Sequence, residues 1–242
     1  MNRRLYFGPI QTFEGAERST EGFFMQFFTN DVILPYLREC GYRKLCEIGA
    51  QSGGNTDKLL GCGADRITVI DPCFDADLEE KYRNNPKISV HRGRSLDVLP
   101  GVKNPFDCIL IDGDHNWYTV FNELVLIARM GLLKAGGLIL LHDVAWPYAR
   151  RDMYYDPPSI PASFRHPYAR KGVAYNQSEL LDTGGVNAWL NNACFEGGPQ
   201  NGVLTAVEDV LIQMPETFSF FRLEQEFGLG FLFKGSPPTR IN

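Results

Sequence analysis

Short apolar runs alternate with amphipathic stretches through the first part of the chain. We expect strands over 44–48, 66–70, 88–91, 106–111 and 137–141. These runs are apolar throughout, which is typical of strands in a parallel sheet that is buried between helices. The segments between them favour helices, most clearly 120–133, where Phe121, Leu124, Val125 and Ala128 share one helical face. The pattern therefore predicts a doubly wound α/β sheet with right-handed crossovers.

The pattern changes toward the carboxyl end of the chain. A helix is predicted over 202–213, and two strand-like runs follow at 218–223 and 228–234. The connection between these two runs is so short that only an antiparallel hairpin fits it. Before this helix lies a stretch, 144–201, that is rich in Pro, Gly, Tyr and Asn and has no clear periodicity. Such a stretch is more typical of a lid or binding insertion than of a linker.

Composition limits the class of protein. With 242 residues, of which 44% are hydrophobic and 22% charged, the chain is expected to form one domain over 1–242, with an N-terminal helical cap at 1–40. The net charge of −5 and the lack of a basic tract argue against nucleic acid binding. No long apolar segment predicts a membrane span, and the six cysteines include no CxxC pair. We expect a reduced, soluble, cytoplasmic protein that forms a homodimer or higher homo-oligomer.

A glycine-rich turn follows the first predicted strand. Gly49 and Gly53 allow a tight turn whose backbone comes close to a ligand at the start of a helix. Asp71 ends the second strand, where a carboxylate can accept hydrogen bonds from ribose hydroxyls. Together they predict an adenosine-containing ligand.

Two residues of the turn distinguish between adenosine ligands. The dinucleotide pattern needs glycine at position 51, where this chain has Gln51. Glu47 adds negative charge that would repel a pyrophosphate and attract a cationic amino-acid group. Both features favour S-adenosylmethionine (SAM) over a nicotinamide cofactor.

Acidic and imidazole side chains follow the fourth and fifth strands. Asp112, Asp114 and His115 come after the fourth, and His142 and Asp143 after the fifth. Neighbouring strand ends converge at the carboxyl edge of a doubly wound sheet. Asp112, His142 and Asp143 are therefore predicted to hold Mg²⁺ or Mn²⁺, which would lower the pKa of a substrate hydroxyl while His115 takes its proton.

Residues 40–143 resemble class I SAM-dependent methyltransferases in the E-x-G-x-x-x-G turn, in Asp71 and in the I-D-G-D-H run after the fourth strand. The resemblance implies a seven-stranded, mostly parallel, Rossmann-like sheet with an antiparallel last strand. It also implies that the turn holds the methionine end of SAM, and that Arg94 and Ser95 line the adenine. The expected cofactor-binding residues are Glu47, Gly49, Gln51, Ser52, Gly53, Asp71, Arg94, Ser95 and Asp112.

The spacing of the strand-end residues is similar to that of metal-dependent O-methyltransferases acting on catechols and macrolide sugars. This resemblance implies Asp112, His142 and Asp143 as metal ligands, with Asp112 and His115 catalytic, although His142 stands where a carboxylate is usual. The expected activity is methyl transfer to a hydroxyl of a sugar or secondary metabolite, in natural product biosynthesis. The alternatives are a metal-independent methyltransferase, a hydroxylase-like relative of the same fold, a nicotinamide-dependent oxidoreductase and a non-catalytic binding protein.

Overall fold

The structure is a computed structural model that describes Met25 and residues 28–73 and 76–235. Its strands are β1 (Lys44–Ile48), β2 (Arg66–Asp71), β3 (Ile88–Arg92), β4 (Phe106–Ile111), β5 (Leu133–His142), β6 (Met153–Tyr154), β7 (Tyr168–Arg170), β8 (Asn191–Ala193), β9 (Phe218–Leu223) and β10 (Leu229–Lys234). Seven of them form one sheet in the order β3-β2-β1-β4-β5-β10-β9. Strands β1 to β5 are parallel, and β10 is antiparallel to both β5 and β9. The predicted fold class is confirmed.

Helices cover both faces of this sheet. They are α1 (Leu34–Cys40), α2 (Gly54–Leu60), α3 (Ala76–Tyr82), α4 (Ser95–Val98), α5 (Trp117–Arg129) and α6 (Val203–Gln213). One core contains Leu37 of α1 and Leu59 of α2, and the other contains Leu124 of α5 and Val207 of α6. Of the predicted cap at 1–40, only Met25 and residues 28–40 are described; they include a π-helical turn, Thr29–Ile33, that continues into α1.

Several predicted boundaries are displaced in the structure, and the largest differences are at α5, which ends at Arg129 rather than at 133, and at β5. Helix α5 begins at Trp117 rather than at 120, because the Asn116 side chain caps it by accepting a hydrogen bond from the Thr119 amide at 2.9 Å. Strand β5 begins at Leu133 rather than at 137, and its register with β4 shifts between Phe106 and Cys108. The glycines near its start hid this part of the strand from the apolar pattern.

The insertion at 144–201 has regular structure of its own. A small antiparallel sheet in the order β6-β8-β7 forms its centre. Asp152 is fully buried, and its Oδ1 accepts hydrogen bonds from the Trp117 and Gly202 amides at 2.7 Å each. These bonds attach the insertion to the beginning of α5 and of α6, so it is a packed part of the domain.

The described cysteines are all free. Among the described helices, none combines the length and the apolar character that a bilayer crossing requires.

Candidate functional site

The glycine-rich turn lies against the end of β4. Gly49 has a φ of +86°, and a Cβ at this position would lie 2.2 Å from the backbone oxygen of Asp112. Only glycine allows this approach. The turn and the end of β4 border one pocket, whose lining includes five of the predicted cofactor residues: Glu47, Gly49, Gln51, Ser52 and Asp112.

Glu47 lies at the bottom of this pocket. Its side chain is 2% exposed and accepts hydrogen bonds from Asn55 Nδ2 at 2.8 Å and from Thr56 Oγ1 at 2.5 Å. Burial raises the pKa of Glu47 to about 7, although these two hydrogen bonds favour the charged form. A bound cation would restore the ionised state, which suits the ammonium group of SAM.

Glu47 therefore leads to a testable pH dependence. Because ionised Glu47 attracts a cation, the affinity for SAM should rise about eightfold from pH 6 to pH 7.5, in proportion to the ionised fraction of Glu47. The pKa of about 7 places the transition in this range. Isothermal titration calorimetry would measure the change. The Glu47→Gln variant should bind SAM more weakly, and its affinity should depend little on pH. The Glu216→Gln variant, which changes an exposed acid, should keep the pH dependence of the wild-type protein. A pH dependence that survives in Glu47→Gln would contradict the assignment.

Asp71 links the turn to the second strand. Its Oδ2 accepts hydrogen bonds from the Ala50 and Gln51 amides at 2.9 and 2.8 Å, and its Oδ1 accepts one from the Cys73 amide at 2.7 Å. The carboxylate therefore shapes the turn, and Oδ1 retains a lone pair because it accepts only one of these hydrogen bonds. Whether it also binds ribose stays a prediction.

The loop after β3 reaches the same edge of the sheet, where the Gly93 amide donates to the Asp71 backbone oxygen at 3.2 Å. The Arg94 guanidinium pairs with Asp97 at 2.8 Å and is exposed, whereas Ser95 is buried at the start of α4. Neither residue lines the pocket of the turn, and their assignment to the adenine stays a prediction.

The strand-end acids and imidazoles form one buried cluster, as their positions in the sequence predict. His142 Nδ1 lies 3.2 Å from Asp112 Oδ1 and 3.1 Å from Asp143 Oδ2. The other ring nitrogen, Nε2, lies 3.2 Å from the backbone oxygen of Glu226 and must donate to it. The Nδ1 atom therefore faces two carboxylates and must either carry a second proton or bind a cation.

His115 joins the cluster from the other side of Asp143. Its Nδ1 lies 2.7 Å from Asp143 Oδ2, and its Nε2 lies 3.3 Å from the phenol oxygen of Tyr155. Asp143 has a φ of +61°, a backbone conformation that non-glycine residues adopt mainly where the surroundings enforce it. The carboxylate thus orients the imidazole and leaves Nε2 directed toward the insertion.

The charges of the cluster stabilise one another. Burial alone would lower the pKa of both imidazoles, but the carboxylates outweigh it, so the pKa of His115 is raised and that of His142 lies well above its usual value. Burial would likewise raise the pKa of Asp143, yet the two imidazoles hold it well below its ordinary value. The carboxylates therefore favour the protonated form of the imidazoles, and the imidazoles favour the ionised form of Asp143.

The donor set fits a divalent cation. Two carboxylates and an imidazole nitrogen are ligands that Mg²⁺ or Mn²⁺ accepts, and the Nδ1 lone pair of a neutral His142 would face both carboxylates. Ligand atoms of Asp112, His115 and Asp143 also lie within 4.8 Å of one another. Either imidazole can therefore supply the nitrogen, and a cation would replace the protons that balance the acids.

Sequence reasoning missed several residues that shape this site. The Met25 amide donates to Asp112 Oδ2 at 2.8 Å, and Glu226 supplies the backbone oxygen beside His142. Tyr148 and Tyr155 each place a ring 5.6 Å from the His115 ring. The sequence predicted a lid or binding insertion at 144–201, but no pattern singled out these two tyrosines.

Comparison with known proteins agrees with the fold and the turn. Residues 46–144 match a family model described as "Methyltransferase domain". The chain is similar to the SAH-bound methyltransferase PaMTH1 of Podospora anserina, with 16% identity, 84% of this chain and 76% of that chain covered, and a TM-score of 0.54. It is also similar to a candidate caffeoyl-CoA O-methyltransferase of Staphylococcus aureus, with 16% identity and a TM-score of 0.52. The similarity covers 84% of this chain and 81% of that chain.

No curated protein matches the sequence significantly. The two structural similarities are distant and bear on the fold alone, whereas the matched segment contains the glycine-rich turn, Asp71 and both groups of strand-end residues. The family match, the resemblance of these motifs and the sheet order agree with one another. Residues 46–144 thus match a methyltransferase domain, and the sheet order of the described chain is the one that the resemblance to class I methyltransferases predicted.

Proposed function

We propose that the protein transfers the methyl group of SAM to a hydroxyl oxygen of a small molecule, with His115 accepting the hydroxyl proton. The observation that carries the proposal is the pairing of His115 Nδ1 with Asp143 Oδ2 at 2.7 Å, which leaves Nε2 facing the hydroxyl of Tyr155 in the insertion. In the reaction the O–CH₃ bond forms as the S–CH₃ bond breaks. The proton moves to Nε2, and SAM leaves as S-adenosylhomocysteine (SAH).

The proposed base lies close to the expected position of the methyl donor. The end of β4 contacts the glycine-rich turn through Asp112, and His115 follows three residues later. An acceptor oxygen on Nε2 would therefore lie next to the methionine end of SAM, so that alignment supplies much of the catalysis. Tyr155 is 54% exposed beside His115, which favours an acceptor with a ring, such as a sugar or an aromatic secondary metabolite.

A divalent cation is part of the proposal. Asp112, His142 and Asp143 would hold Mg²⁺ or Mn²⁺, and His115 would keep Nε2 for the proton. When bound, the cation would lower the pKa of the acceptor hydroxyl and orient it.

Methyl transfer to a panel of hydroxyl-bearing sugars and phenols, followed as SAH formation, tests the proposal. Amine acceptors serve as the comparison, since turnover confined to amines would contradict O-methylation. A chelator should abolish turnover and Mg²⁺ should restore it. Full activity in chelator would show instead that protonated His142 balances the carboxylates and that the reaction is metal-independent.

The hydroxyl of Tyr155 occupies the hydrogen-bonding position on His115 that the acceptor oxygen needs. Tyr155 should therefore affect the binding of the acceptor more than the rate of methyl transfer. We expect Tyr155→Phe to change the acceptor KM at least threefold while kcat stays within about threefold, because the ring remains and only the competing hydroxyl is lost. Steady-state kinetics with saturating SAM would measure both. Tyr175→Phe, at an exposed ring that contacts Trp146, is the matched control. An unchanged KM in Tyr155→Phe would exclude the competition.

A further inference from the structure

A second groove lies at the opposite edge of the sheet from the methyltransferase site. The crossover from β3 to β4 contains only the four-residue helix α4 and a 3₁₀ turn, Leu99–Gly101. Parts of β2 and β3 border a space beside this connection, where Arg66 is exposed, Ser89 is partly exposed and Thr68 is buried. This space, which we call the amino-edge groove, has a volume of about 830 Å³. That is a size typical of small-molecule sites.

The floor of the amino-edge groove is polar. Thr68 of β2 and Ser89 of β3 are register partners, so their side chains project from the same face. His91 follows on that face, and its Nε2 lies 3.2 Å from Ser89 Oγ. Val98 and Val102 form an apolar wall beside them. A sheet face meant to be covered by another protein would be apolar here, whereas hydroxyls and an imidazole suit a polar ligand.

Positive charge surrounds this floor. Lys44 and Arg66 begin neighbouring strands as direct register partners, which sets two like charges side by side. Like charges in directly opposed positions destabilise a sheet. Lys103 borders the same groove, and Asp65 is the only acid among its lining residues.

No described acidic side chain pairs with any of these three cations. Within the described residues, neither Lys44, Arg66 nor Lys103 forms an ion pair. The nearby carboxylate of Asp107 is already bound by Lys134 and by two backbone amides. The chain as a whole has a net charge of −5, so this positive groove is a local exception.

We propose that the amino-edge groove binds a phosphorylated small molecule. Arg66, Lys44 and Lys103 would hold the phosphoryl oxygens, with hydroxyl hydrogen bonds from Ser89. Val98 and Val102 would pack against the organic part. Three cations and a hydroxyl match a doubly charged phosphoryl group better than a single carboxylate. The groove is about 16 Å from the cofactor edge, five residues along β2, so this ligand is neither methyl donor nor acceptor.

Calorimetric titration with glucose 6-phosphate and with inorganic pyrophosphate tests the proposal. The titration is done with saturating SAH, so that the methyl-donor site is already filled. We expect saturable binding with a Kd below about 1 mM. Arg66→Gln should weaken binding at least about tenfold, because it removes the guanidinium fork from the phosphoryl group. Ser89→Asp, which adds a negative charge to the floor, should abolish it.

The matched control is Arg38→Gln, which removes an exposed cation from α1 on the other face of the sheet. It should leave the Kd within about twofold and so exclude a general effect of net charge. Thermal unfolding of each variant would verify that it is folded. The proposal is overturned if no saturable binding occurs, if Arg38→Gln and Arg66→Gln weaken it equally, or if citrate binds more tightly than both phosphate compounds.

Discussion

Replacing His115 with asparagine should lower kcat by about 10²- to 10⁴-fold, the usual contribution of a positioned general base. The loss should appear in kcat because the base acts on the acceptor proton as the O–CH₃ bond forms. The affinity for SAM should stay within about threefold, since the turn that is expected to bind it does not contact the imidazole. Single-turnover formation of SAH from enzyme loaded with SAM would measure the chemical step directly.

His166→Asn is the matched control for this substitution. The His166 Nε2 lies 2.9 Å from the backbone oxygen of Gln200, within the insertion, and the residue has no part in the cluster of acids and imidazoles. Its replacement should leave kcat within about twofold. A His115→Asn enzyme that retained more than a tenth of the wild-type kcat would show that another group takes the proton, and the proposed role of His115 would be wrong.

Replacing Gly49 with alanine should weaken SAM binding by more than about 100-fold and destabilise the fold by about 3 kcal/mol or more. The new methyl group would lie 2.2 Å from the Asp112 oxygen and 2.5 Å from the Gly113 Cα, so the turn and the end of β4 must separate. Both segments belong to the expected cofactor pocket. Calorimetric titration with SAM and chemical denaturation would measure the two effects.

The Gly41→Ala variant distinguishes the stability lost through close contact from the stability lost through backbone strain. Gly41 also has a left-handed backbone, with a φ of +65°, but nothing lies within 4 Å of its added Cβ. It ends α1, where alanine should cost only about 1 kcal/mol and leave SAM binding unchanged. Equal losses of stability in the Gly41→Ala and Gly49→Ala variants would show that close contact with Asp112 adds nothing to the cost of the left-handed backbone.

The fold was largely predictable because buried parallel strands are apolar on both faces. The runs that became β1, β4 and β9 have the predicted bounds, and β10 starts one residue later than expected. The first turn of α5 was missed, since the Asn116 cap and the aromatic residues after it do not follow a simple apolar period. The small sheet β6-β8-β7 was also missed, because strands of two or three residues are too short to show an alternation.

The sequence predicted which residues form the candidate site better than it predicted the contacts between them. The convergence of neighbouring strand ends brought Asp112, His142 and Asp143 together in the structure. The sequence did not predict that His115 would pair with Asp143 rather than stand apart as an isolated base. Nor did it predict the contact of Tyr155, which reaches His115 only because the insertion folds back over the sheet edge.

Local sequence features are enough to predict the α/β class, the glycine turn beside Glu47 and the strand ends that carry the acids and imidazoles. These follow from local rules, namely burial of apolar runs, glycine at a left-handed turn and polar residues where strands end. The packing of distant segments sets Asp143 between two imidazoles, brings the Asp71 carboxylate to the turn and forms the amino-edge groove. Such contacts join residues far apart in the chain, and their distances depend on how the elements pack.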